Sequence, residues 1–204
     1  MENFNDRAKD WDSQKRIYRA NIVSREIVNS IDCSNTFSAM EFGCGTGLIS
    51  FNIYDKFKEL TLIDSSEGMI DVVKSKISEL NINNMTPLHL DLTAENSLDK
   101  KFDVIYTSMA LHHIKDTVGI IKIFYDLLNE GGYLRIVDLD EDDGSFHANS
   151  PEFDGHDGFD QNSLKDILSS AGFKDVKSGS FFYDEKIMDG KRTKYSLFLM
   201  KGKK

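Results

Sequence analysis

The residues best suited to chemistry fall in three short runs. EFGCGTG occupies positions 41–47, and two apolar runs downstream, LTLID and TPLHLD, each end on a carboxylate, Asp64 and Asp91. Glycines at 43, 45 and 47 let a backbone turn sharply and approach a ligand where any Cβ would collide. A dinucleotide fold would place its third glycine at position 48, where Leu48 stands, and no Walker lysine follows. A helix N-terminus here could attract an anion, but phosphate is not the expected main partner. A carboxylate at Asp64 can accept both hydroxyls of a ribose, one at Asp91 an exocyclic amine, and Glu41 could help hold an ammonium. That set suits a nucleoside without phosphates. Each signal alone has a plain structural reading as turn geometry or a helix cap; their combination carries the weight.

Histidines supply the second kind of chemistry. His113 is the first candidate for a general base near neutral pH, followed by His147 and His156; His112 stands beside the first, and His89 lies within a strand. The run DLDEDD, with Asp138, Asp140, Glu141, Asp142 and Asp143, offers oxygen ligands near these imidazoles, yet such a run is more often a solvated loop, and no metal is expected. Cys44 reads as a small loop residue, since a reactive thiolate needs an activating partner.

These groups need elements to position them. The pattern alternates: an amphipathic helical segment over 5–31, a strand over 37–42, a helix over 47–56, a strand over 60–64, a helix over 66–80 capped by Ser65 or Ser66, and a strand over 86–91. A strand over 102–107, a helix over 116–129 stopped by Gly131 and Gly132, and a strand over 133–137 follow. After the polar loop 138–151 come a helix over 160–171 stopped by Gly172, then strands over 174–182 and 194–200 joined by a turn through Met188, Asp189 and Gly190. This alternation predicts an α/β fold, a doubly wound, mostly parallel sheet with helices on both faces and ligands at the carboxyl ends of its strands. The glycine loop, Asp64 and Asp91 all fall at such ends.

Composition bounds the partners. The chain has 204 residues and a net charge of -9, which suits one globular domain and argues against long nucleic acid. Only Cys33 and Cys44 occur, without metal or disulfide spacing, as a reducing cytoplasm allows. The polar N-terminus lacks a signal-peptide core, and no run reaches the ~18 apolar residues of a membrane span.

With those residues in place, the chain resembles the class I S-adenosylmethionine-dependent methyltransferases over nearly its whole length. EFGCGTG matches that family's first motif, LIDSSEGMI its second and LDLTA its third. The resemblance implies a Rossmann-like, seven-stranded sheet whose last strand is antiparallel. It implies that Gly43, Cys44, Gly45, Thr46 and Gly47 lie against the methionine part of the cofactor, with Glu41 behind them. Asp64, with Ser65 beside it, would hold the ribose, Asp91 and Leu92 the adenine, with Met69 near the ring, and Ser108 and Met109 would flank the transferred methyl. More narrowly, AKDWD, RANIV, SMALHHI, DLDEDDGSFH and HDGFD resemble small stand-alone bacterial and fungal methyltransferases of the ubiquinone-biosynthesis-like kind. By that likeness residues 1–31 form a helical lid carrying Trp11 and Arg19 over a core of 32–204. Trp11 and Tyr18 can also be read as ordinary core aromatics.

The implied chemistry is transfer of a sulfonium methyl, leaving S-adenosylhomocysteine, in which the protein mainly aligns the reactants and excludes water. TSMAL replaces the NPPY-like run of the family's DNA adenine methylases after the fourth strand, which favours a small-molecule acceptor. Two other readings stand beside it: an NAD-binding oxidoreductase on a related fold, and a non-catalytic cofactor-binding protein. Oligomeric state is not legible.

Overall fold

The computed structural model describes residues 4–32, 34–94, 98–150, 152–188 and 190–204. Its centre is a seven-stranded sheet in the order β3-β2-β1-β4-β5-β7-β6. The strands are β1 (Ser38–Phe42), β2 (Glu59–Asp64), β3 (Met85–His89), β4 (Phe102–Ser108), β5 (Leu128–Leu139), β6 (Lys174–Met188) and β7 (Lys191–Lys203). The first five are mutually parallel, whereas β7 runs antiparallel to both β5 and β6. This is the Rossmann-like arrangement implied above. It puts the C-terminal ends of β1, β2 and β4 at one edge of the sheet.

Neighbouring residues along the central strands enter opposite cores, as a sheet covered on both faces requires. Leu62, Val104 and Tyr106 pack with Val23 and Ile27 of helix α2 (Gln14–Asn29) and Ile70 and Val73 of α4 (Glu67–Leu80). Ile63, Ile105 and Phe42 pack instead with Ile121 and Phe124 of α5 (Thr117–Leu127) and Leu164 and Leu168 of α6 (Gln161–Ser170). Two short helices complete the set, α1 (Phe4–Arg7) and α3 (Ser50–Ile53).

Side-chain caps fix where the longer helices begin. Ser66 Oγ accepts the Met69 N–H, Asp116 Oδ1 that of Gly119, and Asp160 Oδ1 that of Ser163. Arg135, buried in β5, ties α2 to the sheet by donating to the Ser30 side chain and carbonyl and to the Gly202 carbonyl.

Several boundaries differ from the sequence reading. The helix expected over 47–56 is confined to Ser50–Ile53 plus a 3-10 turn at Tyr54–Lys56, because Gly47 sits at φ 79°, outside the helical region. The third strand ends at His89, leaving Asp91 in the turn beyond it. The chain passes from helix to strand at Leu128, whose ψ of 144° is already extended, so the Gly131-Gly132 pair falls inside β5 rather than stopping α5. Strands β6 and β7 run on past 182 and begin before 194, forming a long hairpin; the Asp189 of the expected turn, like Cys33 and Pro151, lies outside the described residues.

Candidate functional site

At the C-terminal edge of the sheet lies a cavity of about 400 Å³. The glycine loop after β1 forms one wall. Gly43 and Gly45 adopt φ of 67° and 53°, where a Cβ is disfavoured. A Cβ at Gly43 would overlap that of Ala110, while one at Gly45 would sit 3.7 Å from Trp11 Nε1. Gly47 faces away, against the Phe51 ring.

Asp64 locks this loop to the next strand. Its Oδ2 accepts the Gly45 N–H at 2.7 Å and its Oδ1 that of Ser66 at 2.8 Å, leaving each oxygen a further lone pair. Burial pushes its carboxyl above the usual range. Asp91 accepts from the Thr93 backbone and hydroxyl through Oδ1, a local turn at the cavity edge. Ser65, Met69 and Leu92 line the same end.

Glu41 is the most perturbed acid. It is buried beneath the loop, accepts the Ser50 hydroxyl, which also bonds to Tyr106 OH at 2.6 Å, and is pushed up to about 8 by burial. It borders a smaller cavity of about 100 Å³ with Cys44, Thr46, Ser108, Met109 and Arg19. Burial and the neighbouring Glu41 and Asp64 push the Cys44 thiol up as well, away from nucleophilic chemistry. Met109 stands at φ 55°, a left-handed conformation uncommon for a residue with a Cβ, and borders both cavities.

The N-terminal segment roofs the site. Trp11, Arg16 and Arg19 line both cavities, with the Arg16 guanidinium 4.0 Å from the Trp11 ring centroid. Two residues unremarked in the sequence anchor this roof: Asp12 Oδ1 accepts the Thr46 hydroxyl at 2.5 Å, and its Oδ2 meets Lys76 Nζ at 2.6 Å. Nothing in the spacing signals the link, because Asp12, Thr46 and Lys76 come from three separate segments.

The other end of the cavity holds the histidines. His112, His113 and His147 all line it, beside Phe146, Ser150, Lys186 and Tyr195. His147 stacks on Phe153 with ring centroids 3.6 Å apart, and burial lowers its pKa. His113 packs edge-on to Phe4 and Phe153. His156 is directed elsewhere: its Nε2 lies 3.1 Å from Thr117 Oγ1 and 3.0 Å from the Ile114 carbonyl. His112, passed over in the sequence reading in favour of its neighbour, has Nδ1 2.6 Å from Asp138 Oδ1, and Asp138 is fully buried.

Acids of DLDEDD are held by donors from near and distant parts of the chain. Asp140 accepts Gln161, Ser180 and Ser196, and Asp142 accepts the backbone N–H of Gly144 and Phe146. Among the described residues no three His, Cys, Asp or Glu side chains converge as a metal-ligand set.

The chain is similar to known methyltransferases. A family model described as a methyltransferase domain matches residues 40–134. An uncharacterised methyltransferase of Schizosaccharomyces pombe is 29% identical over 164 residues, covering 74% of this chain and 58% of its own length. The chain spans half or less of the next curated relatives. Among solved structures, a methyltransferase in complex with the Haloferax volcanii Trm112 methyltransferase activator superposes with a TM-score of 0.80, 13% identity and coverage of 100% and 98% of the two chains. NodS of Bradyrhizobium japonicum WM9, an N-methyltransferase in complex with S-adenosyl-L-homocysteine, gives 0.65 at 16% identity, covering 93% of this chain and 86% of its own.

By these likenesses the chain resembles methyltransferases, in sequence over residues 40–134 and in fold over the whole sheet. The matched span contains the glycine loop, Asp64 and Asp91 but ends before Asp138, Phe146, His147, Lys186 and Tyr195. No helix among the described residues is long and apolar enough to cross a membrane.

Proposed function

We propose that the protein methylates a small-molecule acceptor held in the larger cavity, with residues up to Ile31 acting as a lid over the core that follows. The observation that carries this reading is one cavity whose two ends differ in chemistry: glycine backbone and strand-end carboxylates at one, aromatic and imidazole side chains at the other. A volume near 400 Å³ suits a drug-sized molecule.

In this reading the backbone of Gly43 to Gly47 lies along the methionine part, Glu41 faces its ammonium through the loop, and Arg19 answers its carboxylate. The spare lone pairs of Asp64 accept the ribose hydroxyls, with Ser65 alongside. Asp91 and Leu92 bound the adenine over Met69, and Trp11 closes the site from the lid. Ser108 and Met109 flank the methyl. The bound cofactor supplies an electrophilic sulfonium methyl with a neutral thioether leaving group. The protein aligns the acceptor and keeps water out, effects worth roughly 7–11 kcal/mol in favourable intramolecular models.

The test is incubation of the full chain with isotopically labelled S-adenosylmethionine and a small-molecule extract, read by mass spectrometry. A labelled product of low molecular mass is the expected result. Label appearing only on macromolecules would overturn the small-molecule acceptor, and cofactor binding without transfer to any fraction would favour a non-catalytic role.

A further inference from the structure

We infer that His112, oriented by Asp138, is the general base of this site, and that the acceptor therefore attacks through an oxygen or nitrogen that still carries a proton at neutral pH. The inference rests on the methyltransferase reading above and names the acceptor's chemical class.

The geometry fixes His112 on every side but one. Its backbone N–H donates to Asp138 Oδ2 at 3.2 Å, its carbonyl accepts the His156 N–H at 2.7 Å, and Nδ1 lies 2.6 Å from Asp138 Oδ1. Its ring packs against His113, with centroids 4.2 Å apart, and against His147 at 5.2 Å. A Cβ at Gly155 would overlap the His112 carbonyl, so that glycine keeps the strap over the residue close. Only Nε2 remains, and His112 lines the cavity.

Asp138 also accepts the Leu139 N–H at 2.8 Å through Oδ1, and backbone donors on both of its oxygens orient it as an acceptor toward the ring. An acceptor at Nδ1 keeps the ring proton there and leaves the lone pair on Nε2, the tautomer a base needs. The same carboxylate stabilises the imidazolium once Nε2 takes a proton. An acceptor such as a thiolate or carboxylate, already ionised, would gain nothing from it.

The step balances without a further reactant. The acceptor heteroatom forms a bond to the methyl carbon, the carbon–sulfur bond breaks with its electron pair on sulfur, and the heteroatom's proton passes to Nε2 and then to solvent. The groups that set the pH response are Asp138 on β5, His113 in the same turn, and His147 from the loop after β5. Lys186 on β6 and Asp157 act on His147 in turn.

Two measurements test this on the full chain with S-adenosylhomocysteine or labelled S-adenosylmethionine. Nitrogen-15 NMR of the histidine rings, with the His112 signals assigned from His112→Gln, should show neutral His112 protonated on Nδ1, a preference lost in Asp138→Asn. In the labelled-extract reaction, His112→Gln should lower the rate about 100-fold or more, with cofactor affinity held within about twofold and the acidic limb of the pH profile abolished; a protonated Nε2 in the neutral wild-type ring overturns the inference. So does a wild-type rate in His112→Gln. Should the wild-type chain fail to bind S-adenosylmethionine in calorimetry, the methyltransferase reading itself falls, a distinct outcome from either of these.

Discussion

Glu41 stands where the cofactor's ammonium is proposed to lie, and its protonation decides how that cation is received. With its carboxyl pushed up to about 8 by burial, Glu41 is mostly protonated at neutral pH until a cation arrives. Cofactor binding at pH 7 is therefore expected to release close to one proton, measurable by calorimetry in buffers of different ionisation enthalpy. Glu41→Gln should abolish the release and weaken binding about tenfold; equal release in both proteins would remove Glu41 from the site. The two glycines that line the larger cavity differ in a testable way. Gly43→Ala drives a methyl into Ala110, while Gly45→Ala adds one at ordinary contact distance and retains only the left-handed strain of ~1–2 kcal/mol. Gly43→Ala should lower S-adenosylmethionine affinity at least tenfold more than Gly45→Ala, by the Trp11 fluorescence of this single-tryptophan chain.

Among the elements, the segment before β1 is held in place by residues distant in sequence. Helix α2 is held to the sheet through Arg135, but the stretch from α1 to Ser13 reaches the glycine loop through Asp12, Thr46 and Lys76, and meets α4 where Asn5 Oδ1 accepts from Ser66 Oγ and the Gly68 N–H. The Asp12–Lys76 pair is about a quarter to a third exposed, so its contribution to global stability should stay below ~1 kcal/mol. Its larger effect is on where Trp11 rests. Asp12→Ala is expected to weaken cofactor binding three- to tenfold while moving the urea midpoint little, and an unchanged dissociation constant would dissociate the lid from the site.

For the whole molecule, buried acids make stability depend on pH in an unusual direction. A carboxyl whose folded pKa exceeds its unfolded value takes up protons on folding, so its contribution favours the folded state at low pH and is lost as pH rises. For Glu41 that loss runs from 4.5 to about 8, at roughly 1.4 kcal/mol per pH unit at most, and Asp64 adds to it. Cofactor-free protein should accordingly be less stable to urea at pH 8 than at pH 5.5, and Glu41→Gln should flatten the slope. The glycine loop, Asp64 and Asp91 were legible because their chemistry is written in short runs of contiguous residues, and the strand–helix alternation because apolar periodicity is local. Helix ends were less so: Gly47 and Gly131 look alike in sequence and share a φ near 80° (79° and 77°), and only the strand pairing around Gly131 separates the strand from the loop. The sequence alone determined the fold class and picked out the glycine loop and the two carboxylates, Asp64 and Asp91, that line one end of the cavity. Tertiary structure decided that His112 rather than its neighbour meets Asp138, that Asp12 and Lys76 tie the N-terminal segment to the glycine loop, and that Asp140 of the acidic run is held by Gln161, Ser180 and Ser196. Those pairings join residues from separate elements, and only the closing of the sheet brings them within reach.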